Sequence, residues 1–426
     1  MRGVLMWRSN TWWLLAGATF VVLTQPVLAS QSATIDLQQA VSRTLARNPT
    51  LMAIGYQIDV EQGRVTQSQL RPNLELGVMV ENVLGSGEFD GVDAAETTLS
   101  LAWILERGKV EHRVSAARAG VSLVESEIEI RRLDIVAETA RLFLASLANQ
   151  ERLIRVQEAV SLAENTVAVV AARVQAARTP DAELARAEAQ LASIRLAEED
   201  LEHEFLTSNH QLAAQWGETL PDFKRVAGNV HVLPYPVDFP GLLAKLEDNP
   251  DLTRFLTEER LHEARLRLEQ ANARPDWRVN VGIRRFELSD DQAFVAGITI
   301  PLAMRNLNQG RIAQAQANLA KTAADRTATR SQIETQLFAL HQGLLHSLHR
   351  TTTLREMVLP RMEKALVDTQ SAYTAGRYGY FELQIVQQEV LNTRAALVDA
   401  SIDAHMHVIE IERLTGSAMP TQFAQP

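Results

Sequence analysis

A helical pattern far too long for a compact domain dominates this chain. It runs from Gly108 to Ala177 and again from Gly310 to Ala375. At 1.5 Å per residue the first stretch alone reaches about 105 Å, so the molecule must be elongated. Within it Leu153, Val160, Val167 and Val174 recur every seven residues, and Val156, Ala163, Val170 and Ala177 follow each by three. That is the spacing of a coiled-coil seam, whose small residues permit close approach of a partner helix. An ordinary bundle helix would show a wider apolar stripe.

The two long stretches belong to a duplication. Asn48-Pro49 returns as Asn249-Pro250, and Arg71-Pro72 as Arg274-Pro275. Arg107-Gly108-Lys109 is echoed by Gln309-Gly310-Arg311, Glu183-Leu184 by Glu382-Leu383, and Gly217 by Gly416. All five landmarks keep offsets of 199 to 203 residues, far too long a period for a solenoid, so one module is used twice. Residues 30–220 are the expected first repeat, 221–240 a proline-bearing linker, 241–416 the second repeat and 417–426 a tail. Each repeat opens with about 35 helical residues (Thr34 to Leu70; Pro240 to Ala273), broken at the Asn-Pro pair. Strand-like runs follow at about 73–105 and 276–302, then long helical hairpins at 108–216 and 310–415. The half-length helices have the span to stack end to end beside the long one.

The strand-like runs alternate. Leu74, Leu76, Val78 and Val80 interleave with Glu75, Gly77, Met79 and Glu81; Trp277, Val279, Val281 and Ile283 interleave with Arg278, Asn280, Gly282 and Arg284. The return strands carry Thr97, Leu99, Leu101, Trp103 and Leu105, and Phe294, Ala296, Ile298 and Ile300. Runs of about 9–12 residues with one apolar face have the length of tilted membrane staves, although a soluble hairpin alternates in the same way. Pro72, Pro275 and Pro301 mark where helix and strand hand over. Four strands cannot close a barrel and lipid tolerates no open edge. As membrane staves they demand an oligomer, either a dimer with eight strands or a trimer with twelve.

The N-terminus supplies a route out of the cytoplasm. Arg2 and Arg8 precede an uncharged apolar stretch, Thr11 to Leu23, and Val27-Leu28-Ala29 offers small residues for cleavage before Ser30. Residues 1–29 therefore read as a signal peptide, with an uncleaved anchor as the other reading. Cleavage removes two Arg and no acid, taking the net charge from −10 to −12. Such a balance excludes the basic footprint of a nucleic-acid binder. With no cysteine there is no thiol nucleophile, disulfide framework or acylated N-terminal cysteine. Neither a phosphate loop nor a hydrolase or metalloprotease motif occurs, so no enzyme activity and no cofactor are expected. His346 and His349, and the trio His405-Met406-His407, tempt a metal reading. Residues two apart on a helix face different sides, and no metal site is expected there.

Several stretches together resemble the TolC-like outer-membrane efflux family, in its CzcC-type heavy-metal branch. They are "ERGKVEHRVSAARA", "GITIPLAMRNLNQGRIAQAQA", "ALVDTQSAYTAGRYGYFELQIVQQEVLNTR" and "IERLTG". The resemblance covers the mature chain and implies a mainly α fold with a membrane β-barrel: a homotrimer with a 12-stranded barrel in outer-membrane lipid and a long periplasmic helical tunnel. It further implies a tripartite pump, with a periplasmic adaptor and an inner-membrane resistance-nodulation-division transporter. The breaks after the long helices would form the periplasmic mouth, with Arg178, Thr179, Pro180, Gly376 and Gly379 as adaptor-docking tips. Glu382 and Glu183 match the family's cation-attracting ring, although acids in a first helical turn also complement the helix dipole. Tyr373, Arg377 and Tyr378 are candidates for contacts that hold the mouth closed, or for simple packing at the tip. The chain departs from the family pattern at Ala177, where a glycine is expected, and at Ile385, where a second acid is expected. Drug efflux or type I secretion is the alternative within the class; a periplasmic coiled-coil scaffold without a barrel is the alternative outside it.

Overall fold

In the computed structural model the described residues are 34–236, 238–302 and 305–416; the expected signal peptide and tail lie outside them. β1 (Thr34–Ile35) leads into α1 (Leu37–Arg47) and α2 (Pro49–Gln69), then β2 (Glu75–Glu81) and β3 (Glu96–Leu105) form a hairpin. α3 (Lys109–Gln175) and α4 (Asp181–Ala214) follow as a helical hairpin, and β4 (Arg225–Val226) pairs in parallel with β1. The second half runs α5 (Phe239–Lys245), α6 (Pro250–Asn272), β5 (Trp277–Phe286), β6 (Asp291–Thr299), α7 (Gln309–Thr353), α8 (Leu359–Thr374) and α9 (Tyr380–Thr415). α3 alone has 67 residues, about 100 Å of helix.

The helices form a row of four columns. α2 and α4 pack on α3, α3 packs on α6 and α9, and these pack on α7 and α8. α2 and α4 share one column because α4 ends where α2 begins. The Asn48 side chain caps α2 by accepting from Leu51 N–H (3.0 Å), and its amide donates to the Gln215 carbonyl at the end of α4 (2.7 Å). The second half repeats the joint. Asn249 accepts from Asp251 and Leu252 N–H (2.6 and 3.2 Å) and donates to the Leu414 carbonyl of α9. After each stacked helix Gly217 (φ +80°) or Gly416 (φ +62°) turns left-handed, where a Cβ would press on Pro49 or Pro250 at 3.4 or 3.1 Å. Glycine suits both demands.

Three features differ from expectation. The second long helix is not continuous: one π-helical turn, Leu354–Val358, separates α7 from α8. Pro360 explains it, because its ring would strike the Glu356 carbonyl in α geometry and it has no N–H to offer. Next, the left-handed residue that starts α3 is Gly108, and its counterpart before α7 is Asn308, so Gly310 lies inside the helix. Finally, the buried stripe on α3 is Ala159, Ala163, Thr166 and Val170, while the other seam positions are half-buried and Ala177 exposed. α3 packs against both α4 and α9, which broadens a seam read from one helix alone.

The main core sits at mid-length of α3. There Ala137, Ala140, Phe143, Leu144 and Leu147 meet α1, the β1–β4 pair and the ends of α4 and α9. Linker residues Phe223 and Val230 are part of this core, and Gln150 exchanges two hydrogen bonds with the Val226 backbone (3.1 and 3.2 Å). The linker is thus a strap bound across the bundle.

At one end β2, β3, β5 and β6 form an antiparallel sheet in that order. Register places Leu76 opposite Leu101, Leu101 opposite Val281, and Val281 opposite Ala296. One face therefore carries every apolar residue of the alternation, and it is uncovered: Leu76 is 71% exposed and Phe294 74%. The other face carries the charged residues Glu75, Glu81, Glu96, Arg278, Arg284 and Asp291, with Met79, Ile104, Phe286 and Val295 among them. β2 and β6 each have one neighbour, so both edges of the sheet are open within the chain. No described helix is long and apolar enough to cross a membrane.

Candidate functional site: the paired helical tips and the polar sheet face

The two tips close by the same turn. At the end of α3, Ala177 N–H donates to the Val174 carbonyl (2.8 Å) and Arg178 N–H to Arg173 (2.9 Å). At the end of α8, Gly376 N–H donates to Tyr373 (3.0 Å) and Arg377 N–H to Ala372 (2.9 Å). These are Schellman pairs, whose left-handed residue is Ala177 (φ +53°) in one and Gly376 (φ +74°) in the other. The missing glycine has not changed the turn. Arg178, Pro180, Gly376, Arg377, Tyr378 and Gly379 are exposed at the apex, and Thr179 is half-buried.

Above the apex the two hairpins lock together. Tyr373 is 1% exposed and packs with Val170, Ala187, Tyr380 and Leu383. Its hydroxyl donates to Glu183 (3.3 Å), joining α8 to α4. The Arg173 guanidinium lies over its ring, 4.5 Å from the centroid, and donates to the last carbonyls of α8, those of Tyr373 and Thr374. Burial, reinforced by the Glu183 charge, pushes the Tyr373 phenol up to about 12. It therefore stays a donor throughout the physiological range. Burial also raises Tyr380, against the pull of Arg186.

Of the residues singled out from sequence, the structure joins Tyr373 to Glu183. Glu183 is half-buried and Glu382 exposed, each in the third position of its helix. Glu382 folds back toward its own helix start, with one oxygen 3.0 Å from where a Gly379 Cβ would stand. Arg377 and Tyr378 project outward and join neither. Arg173 was missed by sequence reasoning. Its signals were a basic residue in the last turn of α3 and a position 200 residues before Tyr373. The histidine trio dissolves: His405 is buried and donates to the Val230 carbonyl (3.1 Å), while His407 packs on Gly343. His346 and His349 are exposed. Among the described residues no group of three metal-binding side chains occurs.

The polar sheet face carries charge in two rungs. Near the helices Arg278 pairs with Glu75. Toward the hairpin turns Arg284 bridges Glu81 (2.9 Å) and Glu96 (2.8 Å) and donates to the Thr98 hydroxyl (2.9 Å).

A row of long helices thus ends in an amphipathic open sheet at one pole and in paired tips at the other. Residues 40–218 match the family model described as "Outer membrane efflux protein". The chain is 25% identical over 393 residues to the cobalt-zinc-cadmium resistance protein CzcC of Cupriavidus metallidurans, covering 92% of each. It is 23% identical to the nickel-cobalt-cadmium resistance protein NccC of Alcaligenes xylosoxydans xylosoxydans, covering 70% of this chain and 69% of that one. Its fold matches the outer membrane protein VceC of Vibrio cholerae with a TM-score of 0.71 at 18% identity, covering 90% and 97%.

Proposed function

We propose that three copies of this chain form a continuous exit duct through periplasm and outer membrane, serving a tripartite pump that exports heavy-metal cations. The observation that carries this reading is the sheet, whose apolar face is exposed and whose edges β2 and β6 are both open. Lipid covers such a face, and neighbouring copies satisfy such edges. The helix row needs neighbours too. One flank exposes Met52, Tyr56 and Val60 on α2 with Leu196 and Leu206 on α4; the other exposes Phe338 and Leu345 on α7 with Val367 on α8. Different flanks meeting head to tail make a ring, and three chains supply twelve strands from four each. The matched halves of the chain support the internal duplication, and residues 1–29 support export with cleavage after Ala29.

The tips would face the periplasmic adaptor, and through it an inner-membrane resistance-nodulation-division transporter that provides the energy. Glu382, exposed at the mouth, would draw cations toward the bore. Glu183 would act chiefly through its bond to Tyr373. Cargo is assigned from the resistance proteins named above, which favours cobalt, zinc, cadmium and nickel over drugs or secreted proteins. A deletion strain grown on graded metals beside hydrophobic drugs tests it. Sensitivity to metals alone, rescued by the intact gene, is expected; sensitivity to drugs alone would move the chain to multidrug efflux. Release of the protein from membranes by carbonate would instead favour a periplasmic scaffold. Glu382→Gln should lower cation selectivity of the reconstituted channel, and an unchanged selectivity would remove Glu382 from the mouth.

A further inference from the structure

We propose that Arg284 sets the ionic selectivity of the barrel, by bridging and half-neutralising a carboxylate pair that would otherwise hold divalent cations in its path. The inference rests on the channel reading above, which places the polar sheet face toward the lumen. Glu81 and Glu96 stand directly opposite each other across β2 and β3. Like charges in that position repel, yet both are retained on one rung. Arg284, on β5, reaches across from the next strand. Its Nη2 meets Glu81 at 2.9 Å, its Nη1 meets Glu96 at 2.8 Å, and its Nε donates to Thr98 at 2.9 Å. Asn82 donates to the remaining Glu96 oxygen at 2.9 Å. A planar guanidinium can bond Thr98 and Glu96 on one strand while standing at ion-pair distance from Glu81 on the next; a lysine ammonium has no such fork.

The charge balance gives the inference its content. The lower rung, Glu75 with Arg278, is neutral. The upper rung sets one guanidinium against Glu81 and Glu96, and Asp291, opposite Phe286 on the same rung, adds a third carboxylate, which leaves two negative charges per chain. Three chains would ring the lumen with six negative charges. Without Arg284 the ring would carry nine, among them three facing carboxylate pairs, the kind of oxygen cluster that retains divalent cations. Without both glutamates Arg284 and Asp291 would leave the same ring with no net charge. A duct for metal cations must pass its cargo without keeping it, and Arg284 is placed to prevent retention.

The test uses the full-length channel in planar bilayers. Reversal potential is measured under a salt gradient, and cadmium or cobalt chloride is added on the barrel side. The wild type should be weakly cation-selective and conduct in the presence of either metal. Arg284→Gln should become more cation-selective and be blocked at a metal concentration lower by about tenfold or more, as expected for removing one charge at contact distance. The double variant Glu81→Gln with Glu96→Gln, Arg284 kept, should shift selectivity toward anions. If Arg284→Gln does not assemble, the double variant decides alone: a shift toward anions supports the proposal and an unchanged reversal potential overturns it. Equal block of wild type and Arg284→Gln also overturns it. A wild type that forms no channel at all would defeat the duct reading instead.

Discussion

Burial raises the Glu412 carboxyl from 4.5 to about 8, with Lys245 pulling the other way. In the unfolded chain that carboxyl ionises near its ordinary value, so across the interval the folded state binds the extra proton. Its contribution to stability is therefore complete below about 4.5 and is lost as the pH rises through about 8. His405 has the opposite sign. Burial lowers it from 6.5 to about 4, so its contribution is intact above about 6.5 and is lost only as the pH falls toward 4. Between pH 6.5 and 8 His405 is silent and Glu412 sets the slope. That interval of about one and a half pH units corresponds to at most about 2 kcal/mol per chain. For a chain of this size the change lowers the melting temperature by about 2 °C. Glu412→Gln keeps the shape and removes the titration, so its melting temperature should stay level where that of the wild type falls. Tryptophan-fluorescence melting of the detergent-solubilised protein across this range is the assay. Parallel slopes for the two proteins would refute the argument, because the proton would then be bound elsewhere.

Tyr373→Phe keeps the Arg173 stacking but loses the bond to Glu183, worth about 1 kcal/mol. Tryptic cleavage at Arg178 and Arg377 should then rise about fivefold, and an unchanged rate would mean the hydroxyl does not hold the tips. Ala177→Gly relieves a left-handed alanine and should stabilise the first tip by about 0.5–1 kcal/mol net of the greater freedom glycine has when unfolded. It should show as slower amide exchange in residues 174–180. Asn249→Ala removes the cap of α6 and strands the Leu414 carbonyl in a buried joint, costing about 2–3 kcal/mol. A lowered melting temperature with the same oligomeric state on a mild detergent gel is expected.

The sequence revealed most where one residue has one mechanical task. Asn48 and Asn249 each cap one helix and tie the end of another, while Gly217 and Gly416 turn left-handed against a proline ring. Few side chains can do either, so the same letters stand at both joints and the repeat is visible by eye. The strand alternation was legible for a similar reason, since the pleat enforces a period of two on any sheet with one apolar face. Legibility fails where the constraint comes from a distant partner. The breadth of the α3 stripe depends on α9, and the role of Arg173 depends on Tyr373 lying beneath it. Arg284 was legible only as a polar residue in an alternating strand. That it answers Thr98 and Glu96 follows from β5 pairing with β3, which brings together residues 186 and 188 positions apart.

The same distinction orders the functional residues. Glu183 and Glu382 occupy matched places in matched helices, and sequence alone gives them one role. The structure separates them, because Tyr373 stands at the place matched by Arg173 and bonds only Glu183. The matched halves thus have two unlike tips: one carboxylate braces the hairpins, and the other is exposed. Substituting each by glutamine should therefore give different outcomes. Glu183→Gln should loosen the tips as Tyr373→Phe does, while Glu382→Gln should leave them intact and alter conduction alone.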